Sequence, residues 1–255
     1  MASRNQIHQV IVLKSQAFGE IHRSLTLYSA EEGIIYATAH GTQKIKSKLR
    51  PFTEAFGRYK AYLYLNPVKN QYKLNDGEGL KAFHSGHESI EKFYTASLFC
   101  EMILKSFGGG TEHSQLYELI DQSLEILENM TENKRIYLLL QYLYRFLKIN
   151  GFSLDLANCD SCSRKIAPEE TLFYHHSQDG LFCSQCQSRF PADQLPLPPG
   201  ARKYLDTTPA LSLISALEIS LEKNTALNLK MLLFSCIQGL LEGPLNSLKQ
   251  SKEFI

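Results

Sequence analysis

Four cysteines form two close pairs in the second half of this 255-residue sequence. Cys159 and Cys162 make the first pair, and Cys183 and Cys186 make the second, with the spacing C-x2-C-x20-C-x2-C. A two-residue spacer lets one turn present both sulfurs of a pair to one metal ion, and Zn²⁺ is held tetrahedrally by thiolates. Four sulfur ligands leave no open coordination position. The spacing therefore predicts one structural Zn²⁺ ion.

Other roles for these residues remain open from the sequence. The pairs could form two disulfides, although a reducing compartment would keep the thiols available to a metal. His175 and His176 lie between the pairs and could replace a cysteine as a ligand. We favour loop positions for both histidines, because four cysteines are already present.

Segments with a helical apolar period lie on both sides of the cysteines and must position them. Ser85 and Glu88 have the spacing of a capping box, and the glycines at 108–110 indicate a helix stop. Further helices are predicted at about residues 116–127, 136–147, 201–205, 209–221 and 225–242. The metal module is expected at about residues 156–190, followed by a proline-rich connector at 191–200. We expect the metal to pin this loop between helices of one bundle.

Strand-like patterns occupy the first 80 residues. Short apolar or alternating runs, separated by turn residues, occur at 10–13, 25–28, 34–39, 54–65 and 71–74. Five strands fit a small closed barrel of the OB type, although the number alone does not single out that fold. The predicted class is α+β multidomain. Residues 1–81 would form an OB-fold nucleic-acid-binding domain, and residues 82–255 an α-helical domain with the inserted four-cysteine zinc module.

The charge of the chain is distributed unevenly. The whole sequence has a formal net charge of +1. Residues 1–81 contain twelve Lys or Arg and six Asp or Glu, a net charge of +6, which leaves fifteen against twenty, a net charge of −5, for the remainder. A basic first part favours a polyanionic partner, and the alternative is a solvated basic face.

The strand predicted at 54–65 has two different faces. One face is apolar, and the other carries a basic and aromatic set: Phe56, Arg58, Lys60, Tyr62 and Tyr64. Just before it, four cations alternate with uncharged residues and would share one side of an extended segment: Lys44, Lys46, Lys48 and Arg50. Cations along a phosphate backbone, beside rings that stack on bases, are typical of a single-strand-binding groove. Alternatively, the tyrosines pack under the next domain, and the lysines are only the solvent-exposed residues of a hairpin.

Motifs for catalysis are missing from the sequence. It has no Gly-x-Ser-x-Gly, Walker or dinucleotide fingerprint, and it lacks the His-x-Glu and Pro-Cys-x-x-Cys of zinc deaminases. We therefore expect a protein that is not an enzyme. No N-terminal signal pattern and no run of about 20 apolar residues is found, so the cytoplasm is the expected compartment.

Several motifs, in order along the chain, resemble the bacterial recombination and repair mediator RecO family. The motifs are VIVLK at 10–14, GEIHRSLTL at 19–27, AHG at 39–41, SKLRPF at 47–52, RFL at 145–147, GFSLDL at 151–156 and GPLNSLK at 243–249. The GFSLDL motif leads into Cys159, as the helix of that family leads into its zinc knuckle. Each motif is weak alone, whereas their order and spacing are specific.

The resemblance implies an N-terminal OB fold, a helical domain and a four-cysteine zinc module. It also implies binding of single- and double-stranded DNA, annealing of complementary strands, and loading of RecA with RecR in the RecF pathway. The partners implied are DNA, RecR, the C-terminal tail of single-stranded-DNA-binding protein bound on the helical domain, and, indirectly, the RecA filament. A nucleoid-associated place in the cytoplasm follows from these partners.

DNA contacts of the family carry over to matching basic positions: Arg23, Lys44, Lys46, Lys48 and Arg50. Arg58 and Lys60 are added from the strand pattern, with Tyr62 and Tyr64 as stacking rings. The chain has Thr42 and Gln43 where the family often has arginines, so phosphate contacts would be fewer or shifted. Two competing classes remain, a zinc-stabilised interaction scaffold with incidental DNA binding and, more remotely, a dithiol oxidoreductase.

Overall fold

The structure is a computed structural model that describes residues 4–68, 71–106, 113–189, 194–241 and 243–250. Its contacts divide the chain into two compact units, Met1–Asn129 with Leu245–Ile255, and Met130–Pro244. The domain boundary predicted between residues 81 and 82 follows the change from strands to helices and stays a proposal. The predicted glycine stop at 108–110, and residues 190–193 of the predicted module and connector, lie outside the described residues.

The first unit begins with five strands that close into a barrel. They are β1 (Asn5–Phe18), β2 (His22–Ser29), β3 (Gly33–Ala39), β4 (Arg58–Asn66) and β5 (Gln71–Lys81). The order around the barrel is β1-β2-β3-β5-β4, and β1 also pairs with β4. Neighbouring strands are antiparallel, except that β3 and β5 run parallel. This OB-like barrel, followed by helices, confirms the predicted fold class.

Alternate residues of the strands fill the barrel interior, because successive side chains of a strand point to opposite faces. The core consists of Val10, Val12, Leu25, Leu27, Ile35, Ala37, Ala39, Tyr59, Ala61, Leu63 and Leu74. In β4 the buried set is the apolar face that the sequence predicts. On β2 and β3, the residues that alternate with the core positions therefore face outward and form the outer wall of the barrel.

β4 begins at Arg58, four residues later than predicted. A 3-10 turn at Arg50–Thr53 precedes it, and Phe56 adopts a left-handed backbone with φ of 65°. The Phe56 N–H donates to the carbonyl of Val12 at 2.9 Å, and its buried ring contacts the ring of Phe83 edge-on. The sequence predicts Phe56 on the basic and aromatic face, but its left-handed backbone lies before β4 and its ring is buried in the core.

Two helices follow the barrel, α1 (Ile90–Lys105) and α2 (His113–Asn129). The N-cap of α1 is Ser89, whose hydroxyl accepts the Lys92 N–H at 3.3 Å. The capping box predicted at Ser85 is therefore wrong. Ser85 lies in a 3-10 turn, and its hydroxyl donates to the Glu128 carboxylate of α2 at 2.7 Å. This contact joins the start of the helical segment to the end of α2.

The second unit combines helices with a small sheet. Its elements are α3 (Arg135–Ile149), β6 (Leu172–His175), β7 (Gly180–Phe182), β8 (Gln194–Leu197), α4 (Pro199–Thr207), α5 (Leu213–Ala216) and α6 (Lys223–Leu240). The strand order is β7-β6-β8, all antiparallel. β8 lies inside the segment predicted as a connector. Proline has no N–H to donate to a neighbouring strand. Pro196 is tolerated because β8 is an edge strand, with no strand on its outer side.

The helix predicted at 209–221 is reduced to the single turn of α5. The chain then leaves the helical conformation before α6 begins. The Tyr137 hydroxyl of α3 donates to the carbonyl of Leu221 at 3.0 Å and accepts its N–H at 3.3 Å. Glu222 then caps α6 by accepting the N–H groups of Asn224 and Thr225. These polar contacts replace the helical hydrogen bonds that the apolar pattern predicts.

A last helix, α7 (Asn246–Gln250), returns to the first unit. The Glu101 carboxylate of α1 accepts the N–H groups of Asn246 and Ser247, each at 2.8 Å, so an acidic group meets the positive end of the helix. Within the described ranges, no helix combines the length and the apolarity that a membrane crossing requires.

Candidate functional site

The four predicted metal ligands come together in the second unit. The Sγ atoms of Cys159, Cys162, Cys183 and Cys186 all lie within 4.8 Å of one another. A tetrahedron with Zn–S bonds of about 2.3 Å has sulfur–sulfur edges of about 3.8 Å, so the cluster has the size of a four-thiolate site. Three of the cysteines are buried, Cys162 is exposed, and all are free thiols rather than disulfides.

A tight turn presents the first pair of sulfurs. The Cys159 N–H donates to the carbonyl of Arg164 at 2.9 Å, and the Ser163 N–H donates to the carbonyl of Cys159 at 2.8 Å. Ser163 has a φ of 56°, in the left-handed region. The chain therefore reverses directly after Cys162 and keeps its thiol beside that of Cys159.

The end of β7 presents the second pair. The Cys183 N–H points at Cys159 Sγ at 3.3 Å, which links the two turns. Burial raises the pKa of the Cys183 thiol, but hydrogen bonds from the Cys186 backbone and the neighbouring Arg164 side chain outweigh it and lower the pKa to about 6. The pKa of Cys186 moves the other way, because a hydrogen bond from Ser161 lowers it but burial and the neighbouring thiols outweigh that bond and raise the pKa to about 11. Metal binding requires the thiolate form of each sulfur, so it would release protons from the cluster.

Two arginines hold the loop between the cysteine pairs. Arg164 makes a two-pronged ion pair with Glu170, at 2.9 and 2.7 Å, and this contact lowers the pKa of Glu170 to about 2. Arg202 of α4 donates to the carbonyls of Ala167 and Glu170 at 2.6 and 3.0 Å. These contacts could not be predicted from the sequence, because the pairing of polar loop residues follows no sequence period.

Among the described residues, the sulfur cluster consists of the four cysteines without either histidine of the module. His175 is fully buried in β6, with its ring edge-on to Phe182 at 5.2 Å. His176 Nδ1 lies 3.1 Å from the hydroxyl of Ser235 in α6. Neither position supports the alternative in which a histidine replaces a cysteine.

Residues 41–50 follow β3 and end at the first residue of the 3-10 turn. They carry most of the predicted phosphate contacts, and we call them the basic loop. The predicted extended segment is a succession of turns, because the Lys44 N–H donates to the carbonyl of Gly41 and the Ser47 N–H to that of Lys44. Strand alternation therefore does not align the cations. Lys44, Lys46 and Lys48 are nevertheless all exposed.

Arg50 and Arg23, which are predicted to contact phosphates, also form hydrogen bonds within the protein. Arg50 donates to the carbonyls of Thr42, Gln43 and Lys44 at 3.2, 3.0 and 3.2 Å, so its guanidinium holds the basic loop in its turns. Arg23 of β2 donates to the hydroxyl of Ser15 at 3.0 Å and is half-buried. Arg50 therefore positions the lysines in addition to contributing charge.

Arg58 is not placed as a DNA contact, which corrects the prediction for this residue. Its side chain is 4% exposed, and Nη1 contacts the carboxylates of Asp121 and Glu125 in α2 at 3.4 and 2.9 Å. It also donates to the carbonyl of Asp121 at 2.9 Å. The positive charge lowers the pKa of Glu125. Arg58 thus joins β4 to α2, although strand alternation places it on the outer face.

Arg58→Ala should lower the free energy of unfolding by about 2 kcal/mol in urea denaturation. Removing one member of a fully buried pair costs about 3–5 kcal/mol, but water can reach the two carboxylates here. The matched control is Lys81→Ala, which loses only an exposed contact to Glu125 at 3.3 Å and should cost about 0.5 kcal/mol. Equal losses for both variants would contradict the role assigned to Arg58.

The remaining predicted contacts lie on the outer face of β4. Lys60 forms an ion pair with Glu78 at 2.7 Å, and its Nζ lies 5.6 Å from the centre of the Tyr62 ring. Tyr62 and Tyr64 are half-buried, and Asp76 of β5 lies opposite Tyr62. Lys73 of β5 lies opposite Tyr64, so this face carries two lysines against Asp76 and Glu78. The basic loop carries four cations and no acidic residue, which makes it the more strongly cationic surface.

The fold and the site together define a class, an α+β protein in which an OB-like barrel with a basic loop precedes a helical part with a four-cysteine cluster. Two family matches cover nearly the whole chain. Residues 4–83 match the family described as "Recombination protein O N terminal", and residues 87–249 match "Recombination protein O C terminal". The chain therefore belongs to the RecO family of DNA repair proteins, as the sequence motifs predict.

Curated relatives agree with this family. The chain is 25% identical over 206 residues to "DNA repair protein RecO" of Rubrobacter xylanophilus, covering 81% of each chain. It is 27% identical over 182 residues to the protein of that name from Caldanaerobacter subterraneus, covering 70% of each chain. A third relative with this name, from Bacillus pumilus, is 27% identical over 195 residues, which cover 76% of this chain and 73% of the relative.

Proposed function

We propose that this chain is a non-enzymatic DNA-binding mediator of recombinational repair that anneals complementary strands. The observation that carries the proposal is the exposed basic loop of an OB-like barrel in a RecO-family chain. Cations that neutralise phosphates on two strands reduce their repulsion, so complementary bases can meet. The proposed phosphate contacts are Arg23, Lys44, Lys46, Lys48 and Arg50. Lys60, Tyr62 and Tyr64 remain as predicted secondary contacts.

The metal proposed for the sulfur cluster is one structural Zn²⁺ ion. Soft thiolate ligands favour zinc over hard cations such as Mg²⁺ or Ca²⁺, and four protein ligands leave no position for a substrate. Cys159, Cys162, Cys183 and Cys186 would hold the ion, and its role would be to fix the loop between α3 and α6. The proposed domain division remains residues 1–81 and 82–255.

The partners proposed beyond DNA come from the family. They are RecR, the C-terminal tail of single-stranded-DNA-binding protein, and the RecA filament indirectly. In this scheme the basic loop binds the DNA strands. The helical part binds the proteins that replace one another on the single strand. The chain would act beside the nucleoid in the cytoplasm.

Annealing of two complementary labelled oligonucleotides tests this function. The purified chain should accelerate pairing well beyond the spontaneous rate at about 50 mM salt, and the acceleration should disappear as salt screens the phosphates. A scaffold that only assembles proteins would capture RecR yet leave the pairing rate unchanged. That result would contradict the proposed function.

A further inference from the structure

Arg164 reaches from the first cysteine pair to the second. Its carbonyl accepts the Cys159 N–H at 2.9 Å, so its backbone belongs to the turn that carries the first pair. Its side chain lies beside the thiol of Cys183 in the second pair, as a hydrogen-bond donor. One residue that is not a ligand therefore contacts both halves of the sulfur cluster and brings a positive charge to it.

The Glu170 carboxylate fixes the direction of this guanidinium. Nη1 of Arg164 donates to Oε1 at 2.9 Å, and Nη2 donates to Oε2 at 2.7 Å. An end-on pair of this kind uses both terminal nitrogens and leaves the Nε–H for another acceptor. Nε is buried, and no oxygen or nitrogen in the described part of the chain accepts its hydrogen. The sulfur of Cys183 is the acceptor that remains.

Glu170 is held in turn by its own turn and by α4. Its Oε1 accepts the Ala167 N–H at 3.0 Å. Arg202 of α4, which is 8% exposed, donates to the backbone carbonyls at both ends of this turn. Arg202, Glu170 and Arg164 thus form a chain of contacts from α4 to the sulfur cluster. These contacts hold the guanidinium in place without any help from a metal ion.

The charge of the cluster gives this guanidinium a role. Four thiolates of charge −1 around one Zn²⁺ ion leave a net charge of −2. Three of the four cysteines are buried, and a buried charge without a partner is costly. Arg189, another nearby cation, is exposed, and its Nη1 contacts the hydroxyl of Ser161 at 3.4 Å rather than a sulfur. Arg164 is therefore the better placed of these two arginines to offset the charge.

We propose that Arg164 is a positioning residue of the metal site, whose Nε–H donates to the Cys183 thiolate and whose charge sets the affinity for the ion. This inference rests on the proposed zinc site and goes beyond it, because it assigns a role outside the four ligands. Hydrogen bonds from residues around a metal site commonly change metal affinity by about 10–100-fold. Through Glu170 and Arg202, the position of α4 is linked to metal binding.

Competition for Zn²⁺ with a coloured chelator tests the proposal on the full chain. Arg164→Met keeps most of the aliphatic length but removes the charge and the N–H donors, so it should weaken zinc affinity by about 10–100-fold. Arg164→Lys should recover part of the loss, because it restores the charge without the Nε–H. The matched control is Arg189→Met, which removes the exposed cation and should change the affinity by less than about twofold. Equal weakening in Arg164→Met and Arg189→Met would overturn the proposal.

Glu170→Gln separates the guanidinium from the packing of the loop. This variant loses the ion pair but keeps the cation, so it should weaken zinc affinity less than Arg164→Met does. If it weakens the affinity as much, loop packing sets the affinity and the proposal is wrong.

Cobalt(II) in place of zinc gives a spectroscopic readout that loop packing alone would not change. A hydrogen bond to a thiolate lowers the energy of its sulfur electrons, so losing that bond should move the sulfur-to-cobalt absorption to longer wavelength. We expect this shift in Arg164→Met and not in Arg189→Met. An unshifted band in Arg164→Met would contradict the bond to Cys183. If the unaltered chain binds neither Zn²⁺ nor Co²⁺, the proposed metal site itself fails.

Discussion

Cys162→Ser should release the metal and lower the stability of the second unit by several kcal/mol. Structural zinc binds zinc-finger peptides with about 10–16 kcal/mol at pH 7, and this binding energy is available to folding. A typical domain has a net stability of about 5–15 kcal/mol, so loss of the metal would remove a large part of the stability of this unit. Elemental analysis and calorimetry of the purified variant measure the two effects.

Cys162 is the informative ligand because it is the exposed member of the cluster. Its replacement removes little buried contact, so a large loss of stability would report the metal rather than packing. Cys236→Ala is the matched control, since Cys236 is a buried thiol of the same unit outside the cluster. It should lose some packing and keep one ion per chain. A Cys162→Ser protein with unchanged metal content and melting temperature would contradict the structural role.

Replacing Lys44, Lys46 and Lys48 together by Ala should weaken single-strand binding about 100-fold at 0.1 M salt. Each phosphate contact to a single strand contributes about 0.7 to the exponent of the salt dependence of the affinity, so three contacts contribute an exponent of about 2. Between 1 M and 0.1 M salt, an exponent of about 2 corresponds to an affinity change of about 100-fold, and this is the affinity that the three lysines are expected to supply. The three side chains are exposed, so the barrel should remain folded. Fluorescence anisotropy with a labelled oligonucleotide measures the change.

The matched control removes three exposed lysines from the second unit, Lys165, Lys203 and Lys223. It lowers the net charge by the same amount, so non-local electrostatics change equally. Affinity in this control should fall only slightly. Equal weakening in both triple variants would mean that total charge, and not the basic loop, determines binding.

The sequence predicts the parts of this structure that follow a regular spacing. Alternation along β4 identifies Tyr59, Ala61 and Leu63 as core, and the C-x2-C pairs identify the sulfur cluster. Both patterns have direct geometric meanings, because a strand has a period of two and a two-residue turn brings two thiols together. These predictions depend on local chain geometry, which tertiary contacts leave intact.

Predictions failed where distant parts of the chain determine the conformation. Phe56 looks like part of a strand, but contacts with β1 and Phe83 hold it in a left-handed turn. Arg58 looks like a surface cation, but carboxylates in α2, more than 60 residues away in sequence, bury it. No local pattern encodes these contacts.

The salt dependence of single-strand binding tests the central claim most directly. For the unaltered chain, the logarithm of the affinity should fall linearly with the logarithm of salt concentration, by about 0.7 for each phosphate neutralised. The triple replacement of Lys44, Lys46 and Lys48 should reduce this slope by about 2. Identical slopes for the two proteins, or no binding by the unaltered chain at about 50 mM salt, would contradict the assignment of DNA binding to the basic loop.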